Sequence, residues 1–419
     1  MLPDFGCQHA LFLQGPNGPF FRRLADELSG QGVRTTKVNF NAGDALFFRG
    51  PNAISYRQPM EEWPVYLEAL VEDRGIDAIF LFGDCRPLHR QAIQIAHERG
   101  LGVWVFEEGY LRPNHITCER DGVNGNSRMP KDPEFYRAAA RELPTLASAA
   151  PVGRTFPPWA WYTVLHATIY TLFKWRYPRY RHHRNVNMWV QAFCWVRGWF
   201  RKHQYRIKQR NVLSELARDW SGRYFFVPLQ VHCDQQIQNH SPYEAMEDFI
   251  DHVVSAFAAN APADTRLVLK HHPHDRPYKD YGALLRELGE RHGCADRLVY
   301  VHDLHLPTLL EHARGTITMN STVGPQSMSH GTPVKVLGKA VYDIPGLTSQ
   351  GSLEEFFDAP GTVDMPLYDC YTRYLRATNQ INGSFYKRTP GFQTQTGLHL
   401  PEAVEPGESA TRLSEAGGA

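Results

Sequence analysis

Two adjacent carboxylates, Glu107 and Glu108, are the first candidates for chemistry, and Gly109 follows them. They come directly after the apolar run GVWVF, which predicts a buried strand. In α/β proteins ligands bind at the carboxyl ends of strands, and a carboxylate there can act as nucleophile or general base. Neighbouring side chains of an extended chain point to opposite sides, so at most one of the two is expected to be productive. The alternative is a solvated acidic turn.

Two cationic candidates, Lys270 and His272, end a predicted strand in the second half of the chain. The strand TRLVLK runs directly into them, in the segment KHHP. A lysine and a histidine at a strand end are suited to contact phosphate or carboxylate groups. A metal held jointly by His271 and His272 is not expected, because a strand places them on opposite faces and Pro273 then turns the chain.

A third candidate site lies in TITMNSTVGPQSMSHGTPVKV, residues 316–336, whose pattern predicts a strand, a polar turn, a short helix and a second strand. Asn320, Ser321 and Thr322 occupy the turn. A helix start that presents hydroxyl and N–H groups can bind an anion. The simpler alternative is that Ser321 only caps its own helix. Gln230, which ends the strand RYFFVPLQV, is a further candidate in this half of the chain.

The strands that position these residues alternate with helices in both halves of the chain. Apolar strands are predicted at residues 10–14, 77–82, 102–106, 223–231, 265–270 and 316–319. This alternation predicts an α/β protein with two parallel, Rossmann-like sheets. Residues at other predicted strand ends are candidate acceptor or cleft residues, namely Gly15, Asn17, Asp84 and Arg112. The loop GPNG matches neither a dinucleotide fingerprint nor a P-loop, and for Asp84 a local Asx-turn is the alternative.

Composition narrows the class of protein. The chain has 419 residues, enough for two domains, and a net charge of +1, which gives no overall field to attract nucleic acid. Its seven cysteines show no CxxC spacing, which indicates a reducing compartment and no structural zinc. Neither a signal peptide nor an apolar run of about 20 residues is found. A cytoplasmic protein is expected.

Residues 159–212 differ from the rest of the chain, because they contain six of the nine tryptophans and no aspartate or glutamate. Basic residues cluster at 174–184 and 197–210. Aromatic and cationic helices of this kind are typical of interfacial membrane contact, with tryptophan at headgroup depth. The alternative is a basic aromatic insertion that packs on the two domains. Nucleic-acid binding uses similar residues, but no nucleic-acid-binding motif is present.

The order of the motifs resembles that of a known family. EEGYLRP (107–113), PLQ (228–230), KHHPHDR (270–276) and TMNSTVGPQSMSHGTPV (318–334) are similar to segments of capsule polysaccharide biosynthesis proteins of the KpsS/LipB type. The resemblance extends from Ala10 to Asp358 and includes a helical insertion of this kind. Related modules have Glu-Asp before the glycine where this chain has Glu-Glu. That departure leaves open which carboxylate is the chemical one.

The resemblance implies a role for each candidate. Members of this family are β-Kdo transferases of GT-B-like architecture, with two Rossmann-like domains facing a cleft, and they use CMP-Kdo as donor. Glu108 would be the catalytic carboxylate, with Glu107 structural or second. The residues implied for binding the donor phosphate or the Kdo carboxylate are Gln230, Lys270, His272, Asn320, Ser321 and Thr322.

The implied reaction adds the first Kdo of a capsule linker to a phosphatidylglycerol-type lipid, with retention, by a peripheral protein at the inner membrane. Retention requires a carboxylate nucleophile or a front-face route. CMP is already a good leaving group, so neither a metal nor another cofactor is required. The expected partners are a nucleotide sugar, a lipid acceptor and other capsule assembly proteins, and not nucleic acid. Two alternatives stay open: a Kdo or sialic acid transferase acting on a non-lipid glycan, and a non-enzymatic capsule export or scaffold protein.

Five segments are predicted. An N-terminal Rossmann-like acceptor and catalytic domain spans 1–145, the helical insertion 146–218, and a C-terminal Rossmann-like nucleotide-sugar domain 219–360. Residues 361–400 are expected to return toward the N-terminal domain, and the Gly-, Ala-, Glu- and Ser-rich tail 401–419 to be disordered. Within the first domain, two Gly-containing turn pairs predict a β-hairpin over 115–127.

Overall fold

A computed structural model describes residues 4–181, 188–233 and 235–400. The predicted disordered tail, 401–419, and residues 182–187 of the predicted insertion lie outside the described residues. The described residues form two compact units. Unit 1 takes them from Met1–Arg128, Ala139–Met188 and Thr372–Ala419, and unit 2 from Met129–Ala138 and Trp189–Tyr371.

Twelve strands and fifteen α-helices are found among the described residues. The strands are β1 (His9–Phe12), β2 (Arg34–Asn39), β3 (Ala53–Ser55), β4 (Ala78–Phe82), β5 (Gly102–Glu108), β6 (His115–Arg120), β7 (Tyr224–Pro228), β8 (Arg266–Lys270), β9 (Leu298–Val301), β10 (Gly315–Thr318), β11 (Val334–Val336) and β12 (Gln380–Asn382). The helices are α1 (Phe20–Gly30), α2 (Ala42–Phe47), α3 (Trp63–Arg74), α4 (Pro87–Glu98), α5 (Pro133–Glu142), α6 (Phe156–Leu172), α7 (Met188–Lys208), α8 (Val212–Arg218), α9 (Gln235–His240), α10 (Met246–Asn260), α11 (Gly282–Arg291), α12 (Leu306–Glu311), α13 (Val323–Ser329), α14 (Leu353–Asp358) and α15 (Met365–Thr378).

Unit 1 is built on a seven-stranded sheet in the order β12-β6-β5-β4-β1-β2-β3. The strands from β3 to β5 are parallel, whereas β6 and β12 add antiparallel strands at one edge. Both faces of the sheet are covered, with Leu11 and Val38 in one core and Phe12 and Phe80 in the other. This burial explains why the parallel strands read as continuous apolar runs. Strand order reverses between β1 and β4, so ligand-binding loops are expected there.

Unit 2 is built on a five-stranded, all-parallel sheet in the order β11-β10-β7-β8-β9. Phe225 and Val227 pack on one face, and Tyr224 and Phe226 on the other. Strand order reverses between β7 and β10, whose carboxyl ends carry four of the six predicted donor residues; the other two lie at the end of β8. The predicted fold class, α/β with two Rossmann-like sheets and a helical segment, is confirmed.

The predicted domain boundaries differ from the observed division. The helical segment is not a body of its own: α6 belongs to unit 1, and the chain passes to unit 2 at the start of α7. Residues 129–138, predicted to lie in the first domain, belong to unit 2. Residues 372–400 are part of unit 1, where β12 pairs with β6. The predicted hairpin over 115–127 is wrong, because β6 pairs with β5 and β12.

Candidate functional site

The two carboxylates lie at the carboxyl end of β5, inside the strand rather than after it. Glu107 and Glu108 stay in register with β6, opposite Thr117 and Ile116. Both side chains are partly exposed, and the Glu107 carboxylate accepts a hydrogen bond of 2.9 Å from the Glu108 main-chain N–H. Because consecutive strand residues alternate in direction, the two carboxylates point to opposite sides of the sheet, and each has its own surroundings.

Glu108 has a partner that the sequence does not reveal. Tyr386, from the segment after β12, donates a phenol hydrogen bond of 2.9 Å to Glu108 Oε1. Burial raises the pKa of the Tyr386 phenol well above its usual range, and the negative charge of Glu108 adds to that effect. The phenol therefore keeps its proton at neutral pH and holds the Glu108 carboxylate in one orientation.

The loop that follows the carboxylates is held by a close backbone approach and by a distant glutamine. A Cβ placed on Gly109 would lie 2.2 Å from the His115 carbonyl oxygen, so a side chain there would displace the backbone. Gln380 Oε1 accepts hydrogen bonds from the N–H groups of Tyr110 (2.8 Å) and Leu111 (3.2 Å). Position 109 therefore requires glycine, because a larger residue does not fit. Gln380 belongs to β12, so this strand positions the loop.

Arg112 makes a local contact, whereas Asp84 joins two loops. Arg112 is exposed, and its Nε donates to the Gly109 carbonyl at 3.1 Å. Asp84 is buried, and its Oδ2 accepts hydrogen bonds from Val123 N (3.0 Å) and Asn126 Nδ2 (3.1 Å). These bonds anchor the loop after β6 to the loop after β4, which is a structural role for the Asp84 carboxylate.

Gly15 and Asn17 follow β1 at the reversal point of unit 1. A Cβ on Gly15 would lie 2.7 Å from the Phe21 ring, which explains the glycine by packing. Asn17 Nδ2 lies 3.5 Å from Thr163 Oγ1 of α6, a long contact for a hydrogen bond. The GPNG loop is therefore placed against α6, and its predicted acceptor role stays a prediction.

A buried polar network beside this loop was not predicted from the sequence. Gln14 Nε2 donates to Tyr180 Oη (2.9 Å) and Asp44 Oδ2 (3.1 Å), and His166 of α6 lies 3.6 Å from Asp44. Burial opposes the charge on Asp44, but His166 and the Lys37 ammonium keep its pKa below the usual range. Burial lowers the pKa of Lys37 to about 8. The network attaches α6 to the strand ends of unit 1.

In unit 2, the structure brings together two predicted donor residues at the reversal point of the sheet. Gln230, two residues after β7, donates a hydrogen bond of 3.0 Å from Nε2 to Asn320 Oδ1, two residues after β10. Gln230 is buried, and Asn320 is partly exposed. Parallel strands end at one edge, so the loops after β7 and β10 meet where ligands bind in open α/β sheets.

Lys270 and His272 lie at the same edge, at the end of β8. Lys270 is in register with Pro228 at the end of β7, and burial lowers the pKa of its ammonium group. His271 turns inward, where its Nδ1 contacts Tyr300 Oη at 2.6 Å. His272 is partly exposed on the other side, and its Nδ1 accepts from the His274 N–H at 3.2 Å. The different burial of the two histidines agrees with their predicted opposite orientations. That they hold no metal jointly stays a prediction.

Ser321 and Thr322 lie before α13, which has only seven residues. Ser321 Oγ accepts from Val323 N at 3.2 Å, and Ser321 N donates to Thr318 Oγ1 at 3.2 Å. The side chain of Thr322, the N-cap residue, makes no capping bond. Ser321 thus makes a local turn hydrogen bond at the start of the helix but is not its N-cap residue, and its predicted anion contact stays a prediction.

No metal-binding cluster is evident when the described residues of each unit are considered by themselves. Neither unit brings three ligand atoms from histidine, cysteine, aspartate or glutamate close together. The prediction that the reaction needs no metal or other cofactor is untested and stays a prediction.

Comparison with known proteins identifies the family of the chain. A family model described as "Capsule polysaccharide biosynthesis protein" matches residues 77–386, which include every predicted donor residue and both carboxylates. Capsule polysaccharide export protein KpsS of Escherichia coli is 42% identical over 380 residues, covering 90% of this chain and 96% of that protein. Capsule polysaccharide modification protein LipB of Neisseria meningitidis serogroup B is 38% identical over 390 residues, covering 91% and 92%.

A solved structure, the β-Kdo 2,7 transferase of Thermosulfurimonas dismutans KpsC, is a more distant likeness. It is 14% identical with a TM-score of 0.37, and the match covers 87% of this chain and 99% of that chain. The family match covers the part of this chain that contains the motifs EEG, KHHP and NSTVG, and each of the two curated relatives matches 90% or more of this chain. The chain therefore belongs to the capsule polysaccharide biosynthesis protein family, as its motifs predicted.

Proposed function

We propose that this protein is a retaining β-Kdo glycosyltransferase that adds the first Kdo of a capsule linker from CMP-Kdo to a phosphatidylglycerol-type lipid. The observation that carries the proposal is the presence of complementary chemistry on two Rossmann-like sheets. Unit 1 presents the Tyr386-bound Glu108 carboxylate at the end of β5. Unit 2 presents Lys270, His272 and the Gln230–Asn320 pair at strand ends. Membership of a capsule biosynthesis family supports a substrate of this class.

The donor is assigned to unit 2. The CMP phosphate and the Kdo carboxylate are anions, and Lys270 and His272 offer cationic or N–H donors for them. Gln230 and Asn320 each carry both an amide donor and a carbonyl acceptor, which suits recognition of sugar hydroxyls or the cytosine edge. The phosphate leaves as part of CMP, and positive side chains stabilise the charge that develops on it.

Glu108 is the proposed reactive carboxylate. As a nucleophile, Glu108 would attack the anomeric carbon, displace CMP and form a covalent glycosyl-enzyme. The acceptor hydroxyl would then attack the same carbon and release Glu108. In a front-face route, Glu108 would instead orient the acceptor. Tyr386 holds one carboxylate oxygen and leaves the other available. The neighbouring Glu107 carboxylate is engaged by the backbone of β5, which favours a structural part for it.

The transfer assay that tests this function uses the full chain, CMP-Kdo and phosphatidylglycerol in detergent micelles. Release of CMP together with a Kdo-bearing lipid seen by mass spectrometry is expected. Parallel reactions with a soluble Kdo-containing glycan and with no acceptor separate lipid priming from glycan elongation and from hydrolysis. Transfer to the glycan alone would contradict the lipid assignment, and no CMP release with any acceptor would favour an export or scaffold role.

The lipid acceptor agrees with the exposed face of α7. Large apolar side chains of this helix are exposed, among them Phe193, Val196, Trp199, Phe200 and Ile207. No helix within the described residues combines the length and apolarity needed to cross a membrane. An interfacial helix needs neither, because it inserts only one apolar face and binds anionic headgroups through nearby basic residues.

Replacing Trp199 and Phe200 together with alanine is expected to weaken binding to phosphatidylglycerol-containing vesicles by about tenfold or more, since each aromatic ring contributes on the order of 1 kcal/mol at the interface. These side chains are 58% and 62% exposed, so little effect on the unfolding midpoint is expected. Vesicle co-sedimentation measures the binding. Val65→Ala, which removes an apolar group 74% exposed on α3, is the matched control. Equal binding by the double variant and the wild type would show that α7 is not the contact.

A further inference from the structure

A histidine–aspartate pair lies at the donor edge of unit 2, among residues to which the proposed mechanism gives no role. His232 belongs to the loop after β7, and Asp275 to the turn after β8. The Asp275 carboxylate is fully buried and accepts hydrogen bonds from His232 Nδ1, from the His232 main-chain N–H (3.2 Å) and from Tyr281 Oη (3.4 Å). A buried carboxylate that accepts three hydrogen bonds is a specific feature of the fold and not a chance contact at the surface.

This arrangement fixes which ring nitrogen of His232 is available to a ligand. Nδ1 is committed to Asp275, so the proton at Nδ1 points inward and Nε2 points away from the carboxylate. Within the part of the chain that the structure describes, no group hydrogen bonds to Nε2. The side chain is 31% exposed, so a ligand can reach it. A histidine oriented by a buried carboxylate in this way is a common design of binding and catalytic sites.

The loops that hold the pair are those of the proposed donor site. Two residues before His232, Gln230 bonds to Asn320 across the reversal point of the sheet. The Leu229 N–H donates to the Lys270 carbonyl at 2.9 Å, which ties the start of the same loop to the end of β8. His232 thus belongs to the carboxyl edge where Lys270 and Gln230 lie.

The turn that contains Asp275 is supported from outside by α7. Arg201 Nη1 donates to the carbonyls of Arg276 (2.8 Å) and Lys279 (3.2 Å), and Tyr205 Oη donates to Asp280 at 3.1 Å. Arg276 in turn donates to the Gly198 carbonyl at 3.1 Å. These bonds restrict the turn, so Asp275 holds His232 in a constant position.

We propose that His232 is a ligand of the donor phosphate, that its Nε2–H donates to a phosphate oxygen, and that Asp275 is its positioning residue. The inference rests on the proposed function, since it takes CMP as the nucleotide. In the transfer step the bond between the anomeric carbon and the phosphate oxygen breaks, and its electron pair stays on the phosphate. His232 neither gains nor loses a proton. It stabilises the added negative charge through this hydrogen bond, and Asp275 holds the ring in place.

The test compares binding of CMP with binding of cytidine, which lacks the phosphate. His232→Asn is the informative variant, because the asparagine Nδ2 can still donate to Asp275 while the outer N–H is lost. We expect it to weaken CMP binding roughly tenfold to hundredfold, the effect of one charged hydrogen bond, and to leave cytidine binding unchanged. Calorimetry serves for CMP, and ligand-observed NMR for cytidine. His330→Ala, which removes an exposed histidine after α13, is the matched control.

Three results would overturn the inference. Unchanged CMP affinity in a folded His232→Asn protein would show that Nε2 touches no phosphate. Equal weakening of CMP and cytidine would show that the pair only shapes the loop. If wild-type protein binds no CMP, the proposed function itself fails. His232→Ala, checked for folding by its unfolding midpoint, gives a second measurement, and its CMP affinity is expected to fall at least as far as that of the asparagine variant.

Discussion

Glu108→Gln is expected to lower the rate of Kdo transfer by about 10²- to 10⁴-fold, the range that a lost acid–base or nucleophilic carboxylate produces. The amide has the same shape, and its oxygen can still accept the Tyr386 hydrogen bond of 2.9 Å. It can neither attack the anomeric carbon nor take a proton. The unfolding midpoint is therefore expected to change little. CMP affinity, which we assign to unit 2, should equal that of the wild type when measured by calorimetry.

Glu107→Gln is the matched control for this prediction, because it removes the same charge from the neighbouring strand position. Its expected loss of rate is smaller, since Glu107 is bonded to the backbone of β5. Tyr386→Phe removes only the donor to Glu108 and should cost roughly tenfold in rate, the value of one hydrogen bond to a charged group. A larger loss of transfer rate in Glu107→Gln than in Glu108→Gln would show that Glu107 is the reactive carboxylate. Full activity in both variants would remove the carboxylates from the mechanism.

The fold was predictable because parallel strands covered on both faces leave a simple signal. The apolar runs of β1, β4, β5, β7 and β8 alternate with helices, which fixes a doubly wound arrangement. That arrangement explains why Gln230 and Asn320 contact each other, although 90 residues separate them in the sequence. The carboxyl ends of parallel strands lie along one edge of the sheet. Residues predicted at these strand ends can therefore be expected to lie near one another.

Contacts made by the C-terminal segment were not predictable in the same way. Tyr386 and Gln380 reach the carboxylate loop from more than 260 residues away along the chain, through β12, a strand of three residues. So short a strand has too little periodicity to be recognised. The hairpin prediction failed differently. Asp121 and Asn124 do adopt the positive φ angles of turn residues, 70° and 55°, but the chain then continues without a second strand.

Lys270→Met is expected to weaken CMP binding by about a hundredfold, because it removes a cation from the proposed, partly desolvated phosphate site while keeping the length of the side chain. Burial lowers the pKa of Lys270, which means that its positive charge is less favourable in the folded protein than in water. The substitution is therefore not expected to lower the unfolding midpoint. Calorimetry with CMP and thermal unfolding of the same preparations measure the two effects.

A weaker ligand affinity without a loss of stability separates a binding residue from a structural one. A lysine needed only for folding would give the reverse result, because its replacement would lower the unfolding midpoint. Lys279→Met is the matched control: it removes the same charge from the turn after β8, where Lys279 forms an exposed pair with Glu247 at 2.7 Å. Exposed pairs of this kind contribute about 1 kcal/mol or less, so CMP affinity should stay within about twofold of the wild type. Equal losses in the two variants would mean that the effect is one of general charge, and that Lys270 does not touch the phosphate.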